Sequence, residues 1–123
     1  MNSAVWLTAS RCLAALTVAV VVILFVTAGA LIQAHQFEDV HGAAAIALHV
    51  STGALAVALA GLAWQRRTGW WAAGLAAALF AFTFVQAYLG DGTTLAAHVP
   101  GALLVTAASI SLTCWLFGRR RES

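Results

Sequence analysis

The sequence predicts an all-α protein, a bundle of four transmembrane helices running up, down, up and down. Three observations predict it. Four long apolar runs follow one another along the chain. Only 8% of residues are charged, against about 25% in soluble domains. All six basic residues fall on one side if each run crosses a membrane once. The 123 residues suffice for one integral domain and for nothing outside it.

The spans follow in order. The first is Cys12 to Ile32, without a charge. The second is Gly42 to Trp64, polar chiefly at His49. The third is Gly69 to Gly90 and the fourth Thr93 to Phe117. Each reaches the roughly 20 residues a helix needs to cross a bilayer. In lipid the backbone must satisfy its own polar groups, and no alternation of polar and apolar residues supports a barrel. The connections are short, roughly Gln33 to His41, Gln65 to Thr68 and Gly90 to Gly92, so consecutive helices are antiparallel neighbours. Arg11 and Ala28-Gly29-Ala30 loosely match a signal peptide, but the run is long for a signal core and reads as a span.

Arg11, Arg66, Arg67, Arg119, Arg120 and Arg121 share one side, while Glu38, Asp39 and Asp91 occupy the other. Basic loops stay inside, so both termini are expected in the cytoplasm. Trp6, Trp64, Trp70, Trp71 and Trp115 lie near the arginines, as an interfacial belt does. The absence of lysine and the wealth of alanine and arginine point to a GC-rich bacterium, hence to its cytoplasmic membrane. Cys12 and Cys114 fall on the reducing side and read as small packing residues. No phosphate loop, nucleophile elbow, HExxH pair or nucleic-acid motif is present. No carboxylate lies within a span, which argues against an ion-coupled transporter.

The chemistry left is histidine. His35, His41, His49 and His98 all fall in the outer half or near mid-membrane. His41 opens the second span, and His98 lies a turn or two inside the fourth. Both spans start outside, so the two imidazoles have similar depth, differing by about one to two helical turns. Two neutral imidazoles facing each other across a bundle ligate a haem iron from both sides. Ala45, Leu48 and Thr52 share the face of His41. Gly101, Ala102 and Val105 flank His98. Phe80, Phe82 and Phe84 are candidates to pack on a macrocycle. Gln86 is a candidate for hydrogen bonding between helices or to a propionate.

Several of these residues resemble the haem A synthase family. Glu38-Asp39-Val40-His41 looks like its Glu-x-x-His motif. Gln86-Ala87-Tyr88-Leu89-Gly90, followed by Ala97-His98, looks like its Gln-x-x-Leu-Gly and later ligand histidine. Those enzymes consist of two similar four-helix halves, and this chain resembles one of them over most of its length. The resemblance implies haem b on His41 and His98, Glu38 as the carboxylate beside it, and a homodimer supplying the second half. The first outer loop lacks the cysteine pair many members carry. The resemblance therefore implies haem binding, for electron transfer or a haem-related oxidoreductase reaction, more directly than haem A synthesis.

Alternatives remain open. His49 lies about 80° around the helix from His41 and about 12 Å deeper. His49-Val50 and Gly53-Ala54-Leu55 echo His98-Val99 and Gly101-Ala102-Leu103, and Ile32-Gln33-Ala34 echoes Val85-Gln86-Ala87. These echoes hint at a helix-pair repeat with His49 as the partner of His98. His49 is otherwise a residue that bonds a neighbouring helix at Thr83 or Ser109. His35, Glu38, Asp39, His41 and Asp91 form a candidate zinc or copper set at the outer face. An accessory subunit bound through its small-residue faces to a larger membrane complex is the third reading. Pro100 removes one N–H near His98 and is expected to loosen the outer turn of the fourth helix.

Overall fold

The computed structural model describes residues 1–118. It contains four helices: α1 (Ser3–Ala34), α2 (Glu38–Arg66), α3 (Trp70–Leu89) and α4 (Leu95–Gly118). All four are long and apolar enough to cross a membrane, as in a multi-pass membrane protein. Each packs on its neighbours in a closed ring, α1 on α2 and α4, α3 on α2 and α4. The backbones of diagonal helices stay apart, so α2 and α4 face each other across the centre. The arginine run at 119–121 lies outside the described residues.

Helix boundaries follow local chemistry. Asn2 caps α1, its side-chain oxygen accepting from the Val5 N–H at 3.0 Å. His35 ends α1 with a left-handed backbone, φ 52°, and its N–H reaches the Leu31 carbonyl. Phe37 is also left-handed, so three residues reverse the chain before α2. α2 then opens with Glu38 and Asp39, whose negative charges suit a helix N-terminus. Gly69, at φ 86°, makes the turn into α3 with the Trp115 ring close against it.

The interior is built from leucine and alanine. Leu55, Leu59, Leu112 and Leu116 are fully buried, with Ala14, Ala72 and Ala76 at the crossings. Lipid tails are as apolar as leucine, so close packing rather than water exclusion holds such helices together. Buried hydroxyls are satisfied within their own helices. Ser10, Thr17, Thr52 and Ser109 donate back to carbonyls one turn earlier. The two cysteines are not packing residues as expected, because both face outward from α1 and α4. A span with apolar surroundings on every side has no need to bury them.

One end of the bundle carries Arg11, Arg66 and Arg67 together with all five tryptophans. Arg11 Nε donates to the Leu116 carbonyl at 3.0 Å, tying α1 to the end of α4. Trp71 meets Trp115 edge to face, and Arg67 lies over Trp64. Trp6 packs flat against Gly61, where a Cβ would run into the indole. Gly61→Ala gains about 1 kcal/mol of helix propensity but overpacks this contact at about 1–3 kcal/mol. A net loss of about 1 kcal/mol is expected in a denaturant titration in detergent. Gly74→Ala, with open space at its Cβ, should be neutral or stabilising.

Candidate functional site

The opposite end holds the histidines. His41 and His98 are each the fourth residue of their helices, α2 and α4. Those helices start at the same end on opposite corners of the ring, so the two rings stand at matching depth across the centre. Between them lies a cavity of about 540 Å³ to which all four helices contribute. Ligand sites typically span about 300–1,000 Å³. His41, His49, Gln86 and His98 all line it. So do Ala45 and Leu48 of α2 and Ala102 and Val105 of α4, four of the six residues expected to flank the two histidines; Thr52 and Gly101 are buried but do not line it.

Each imidazole is held by its Nδ1. Thr27 Oγ1 donates to the Ile23 carbonyl at 2.8 Å, and the same oxygen lies 2.8 Å from His41 Nδ1. A hydroxyl has one proton, already given to a carbonyl that can only accept. The oxygen must therefore accept from His41 Nδ1–H. The same logic covers His49. Thr83 Oγ1 donates to the Phe80 carbonyl and accepts from His49 Nδ1–H at 2.6 Å. For His98 the acceptor is the Gln86 carbonyl itself, 2.9 Å from Nδ1. In all three rings Nε2 is then the lone-pair nitrogen. An Nδ1–H anchored on a hydroxyl or carbonyl is how proteins orient a histidine that ligates through Nε2.

His98 and Gln86 are locked to each other. Gly90 N–H bonds the Ala87 carbonyl rather than the Gln86 carbonyl, which frees the latter at the end of α3. His98 Nδ1–H caps that carbonyl. In return Gln86 Nε2 donates to the His98 carbonyl at 3.0 Å. Gln86 Oε1 is buried without a hydrogen-bond partner. A Cβ on Gly101 would collide with it, so the Cα–H of Gly101 points at this oxygen and makes at most a weak hydrogen bond. Thr94 caps α3 further, its hydroxyl donating to the Leu89 carbonyl at 2.6 Å.

No protein-family profile, curated protein or solved structure matches this chain.

The other sequence expectations divide. His49 bonds Thr83, one of its two expected partners, and its ring stacks on Phe84 with centroids 4.4 Å apart. Phe84 and Phe80 meet edge to face. None of Phe80, Phe82 and Phe84 lines the cavity; the aromatic ring that does is Phe25 of α1. The internal echo is not repeated in contacts, since Gln86 is buried against His98 while Gln33 is exposed. Glu38 is exposed at the start of α2 and is not part of the cavity wall. His35 ends α1, also exposed. Among the described residues no three His, Cys, Asp or Glu side chains gather as a metal site. Thr27 went unnoticed in the sequence. It lies fourteen residues before His41, and nothing in its own run of α1 marks it.

Thr27→Val removes the acceptor of His41 Nδ1–H while keeping the shape. Loss of such an outer partner typically costs about 10–100-fold in metal affinity. If His41 and His98 hold a haem, a titration of the purified variant with haemin is expected to show a weakening of that order.

Proposed function

We propose that this chain is a b-type haem protein of the bacterial cytoplasmic membrane, with His41 and His98 as the two axial ligands. Its termini lie in the cytoplasm, by the positions of its arginines. The observation that carries the reading is the shared state of the two rings. Both anchor Nδ1–H, both keep Nε2 as a lone pair, and both line one cavity from opposite corners. Two imidazoles meet the axial need of a haem iron, whereas a structural zinc takes four ligands. Small side chains at Ala45 and Ala102 leave room for a flat ring between the helices.

When bound there, haem supplies a one-electron couple. The protein's part is to hold the ligands, exclude water and keep the surroundings apolar, which are levers on potential. Electron transfer or a haem-linked oxidation is the corresponding role. Glu38 stands one turn before His41, exposed and outside the cavity wall. His49 is not needed as an axial ligand, because it sits about two turns deeper than His41 on the same helix.

The test is the absorption spectrum of the purified protein, oxidised and reduced. A Soret band and a sharp reduced α band are expected. Absence of pigment after expression with ample haem overturns the reading. Full activity after replacement of all four histidines would instead indicate an accessory subunit.

A further inference from the structure

We propose that the deep end of the cavity binds the hydroxyl of a lipid-soluble hydroquinone or phenol at His49, with its apolar tail in the groove between α1 and α4. Two acceptors of the cavity-lining residues lack a donor. His49 Nε2 is a lone pair, and Gln86 Oε1 is an acceptor with no partner in a side chain only 6% exposed. The hydroxyl protons nearby are spent within their own helices. Thr27 gives its proton to Ile23 and Thr83 to Phe80. Thr106 and Ser109 give theirs to Ala102 and Val105. His49 Nε2 offers the cavity an acceptor alone, and an acceptor is completed by a ligand that brings a donor, or by a metal. His41 and His98 suit the metal. His49, about 12 Å of helix below His41, is left for a donor.

The path for the tail adjoins this point. A second space of about 310 Å³ runs along the seam between α1 and α4 and shares Val21 and Phe25 with the cavity wall. Its other walls include Val22 and Val26 of α1 and Ile110 of α4. The side-chain hydrogen bonds between α1 and α4 sit at the arginine end, Arg11 to Leu116 and Thr113 to Ala14. At the histidine end α1 is tied to α2 through Thr27, and α4 to α3 through Gln86. His49 also ties α2 to α3 through Thr83, which leaves the α1–α4 seam as the one without a side-chain hydrogen bond at this end among the described residues, and the groove along it faces outward where lipid would lie. A tail that moves from bilayer to groove exchanges one apolar surface for another, so it orients the ligand and adds little affinity. The O–H···Nε2 bond decides what binds. The reduced, hydroxyl-bearing ring is favoured over the oxidised dione, which can only accept.

The experiment uses the purified protein in lipid nanodiscs and a decyl-tailed para-hydroquinone bearing a diazirine on the tail. After irradiation, labelled residues are mapped by mass spectrometry. Label is expected on Val22, Val26 and Ile110 at about fivefold or more above Val57 and Leu104, as one interhelical-strength hydrogen bond allows. Val57 and Leu104, each 64% exposed, report the general lipid contact. The excess should vanish with the dimethyl ether of the probe and in His49→Leu. It should also vanish in Ile110→Trp, which fills the groove without touching His49. Circular dichroism of both variants shows that the helices persist. Even labelling of all lipid-facing residues, equal labelling by the ether, or labelling unchanged in His49→Leu overturns the proposal. The readout involves no haem, so a colourless protein would refute the haem reading and leave this one standing.

Discussion

On the proposed haem reading, replacing His98 with alanine is expected to abolish the haem spectrum altogether. The variant loses one of two axial ligands, and the remaining imidazole of His41 stands alone at the other corner of the ring. A six-coordinate, low-spin spectrum needs both. The same change uncaps the Gln86 carbonyl, because Gly90 N–H does not replace the lost bond. One hydrogen bond of this kind is worth about 1 kcal/mol. The variant should therefore stay helical by circular dichroism while its unfolding midpoint falls modestly. Full loss of pigment with retained helicity separates ligation from folding. A wild-type spectrum in His98→Ala would remove His98 from the site. His49→Leu is the control, and it should keep the spectrum because His41 and His98 are untouched.

Gly101→Ala is expected to produce the second large effect, out of proportion to a single methyl group. The new Cβ would meet the Gln86 amide at its oxygen, carbon and nitrogen together. Gln86 cannot simply swing aside. It is buried, and its amide is bonded to the His98 carbonyl while its own carbonyl holds the His98 ring. Helix propensity returns about 1 kcal/mol. Overpacking costs about 1–3 kcal/mol, and the broken amide bond about 1 kcal/mol more. Destabilisation of about 1–3 kcal/mol is expected, with haem affinity lowered because His98 loses its seat. A Gln86→Ala, Gly101→Ala double variant relieves the clash and should recover part of the stability. If the double variant is no more stable than Gly101→Ala, the collision is not the cause.

Much of this protein is legible from composition and order alone. Four apolar runs separated by loops of a few residues leave no other helical topology. Charge placement divides the two ends: arginine and tryptophan at one, histidine and acid at the other. The similar depth of His41 and His98 also follows from the chain, although α2 begins four residues before the expected Gly42 and the two rings lie level rather than one to two turns apart. Of the histidines' partners, the chain suggests only Thr83, beside Ser109, for His49; those of His41 and His98 do not follow from it. Thr27, Thr83 and the Gln86 carbonyl are separated from their rings by twelve or more residues, and threonine and alanine are too common here to mark a contact. The phenylalanines of α3 illustrate the same point. Their spacing suits a wall for the cavity, yet helix rotation turns Phe84 onto His49 and leaves the wall to Phe25.

The division has a physical reason. In a lipid-like setting the span count and the polarity of each end depend on transfer free energies summed over whole segments, and those sums are properties of the sequence. How the helices rotate about their axes depends on close packing of small residues and on single hydrogen bonds. No apolar moment directs that rotation, since all faces of each helix are apolar. The tertiary structure therefore decided which nitrogen of each histidine is spent, that Gln86 and Gly101 hold His98, and that His49 packs on α3 through Thr83 and Phe84. The sequence by itself determined that these groups share one end of four spanning helices.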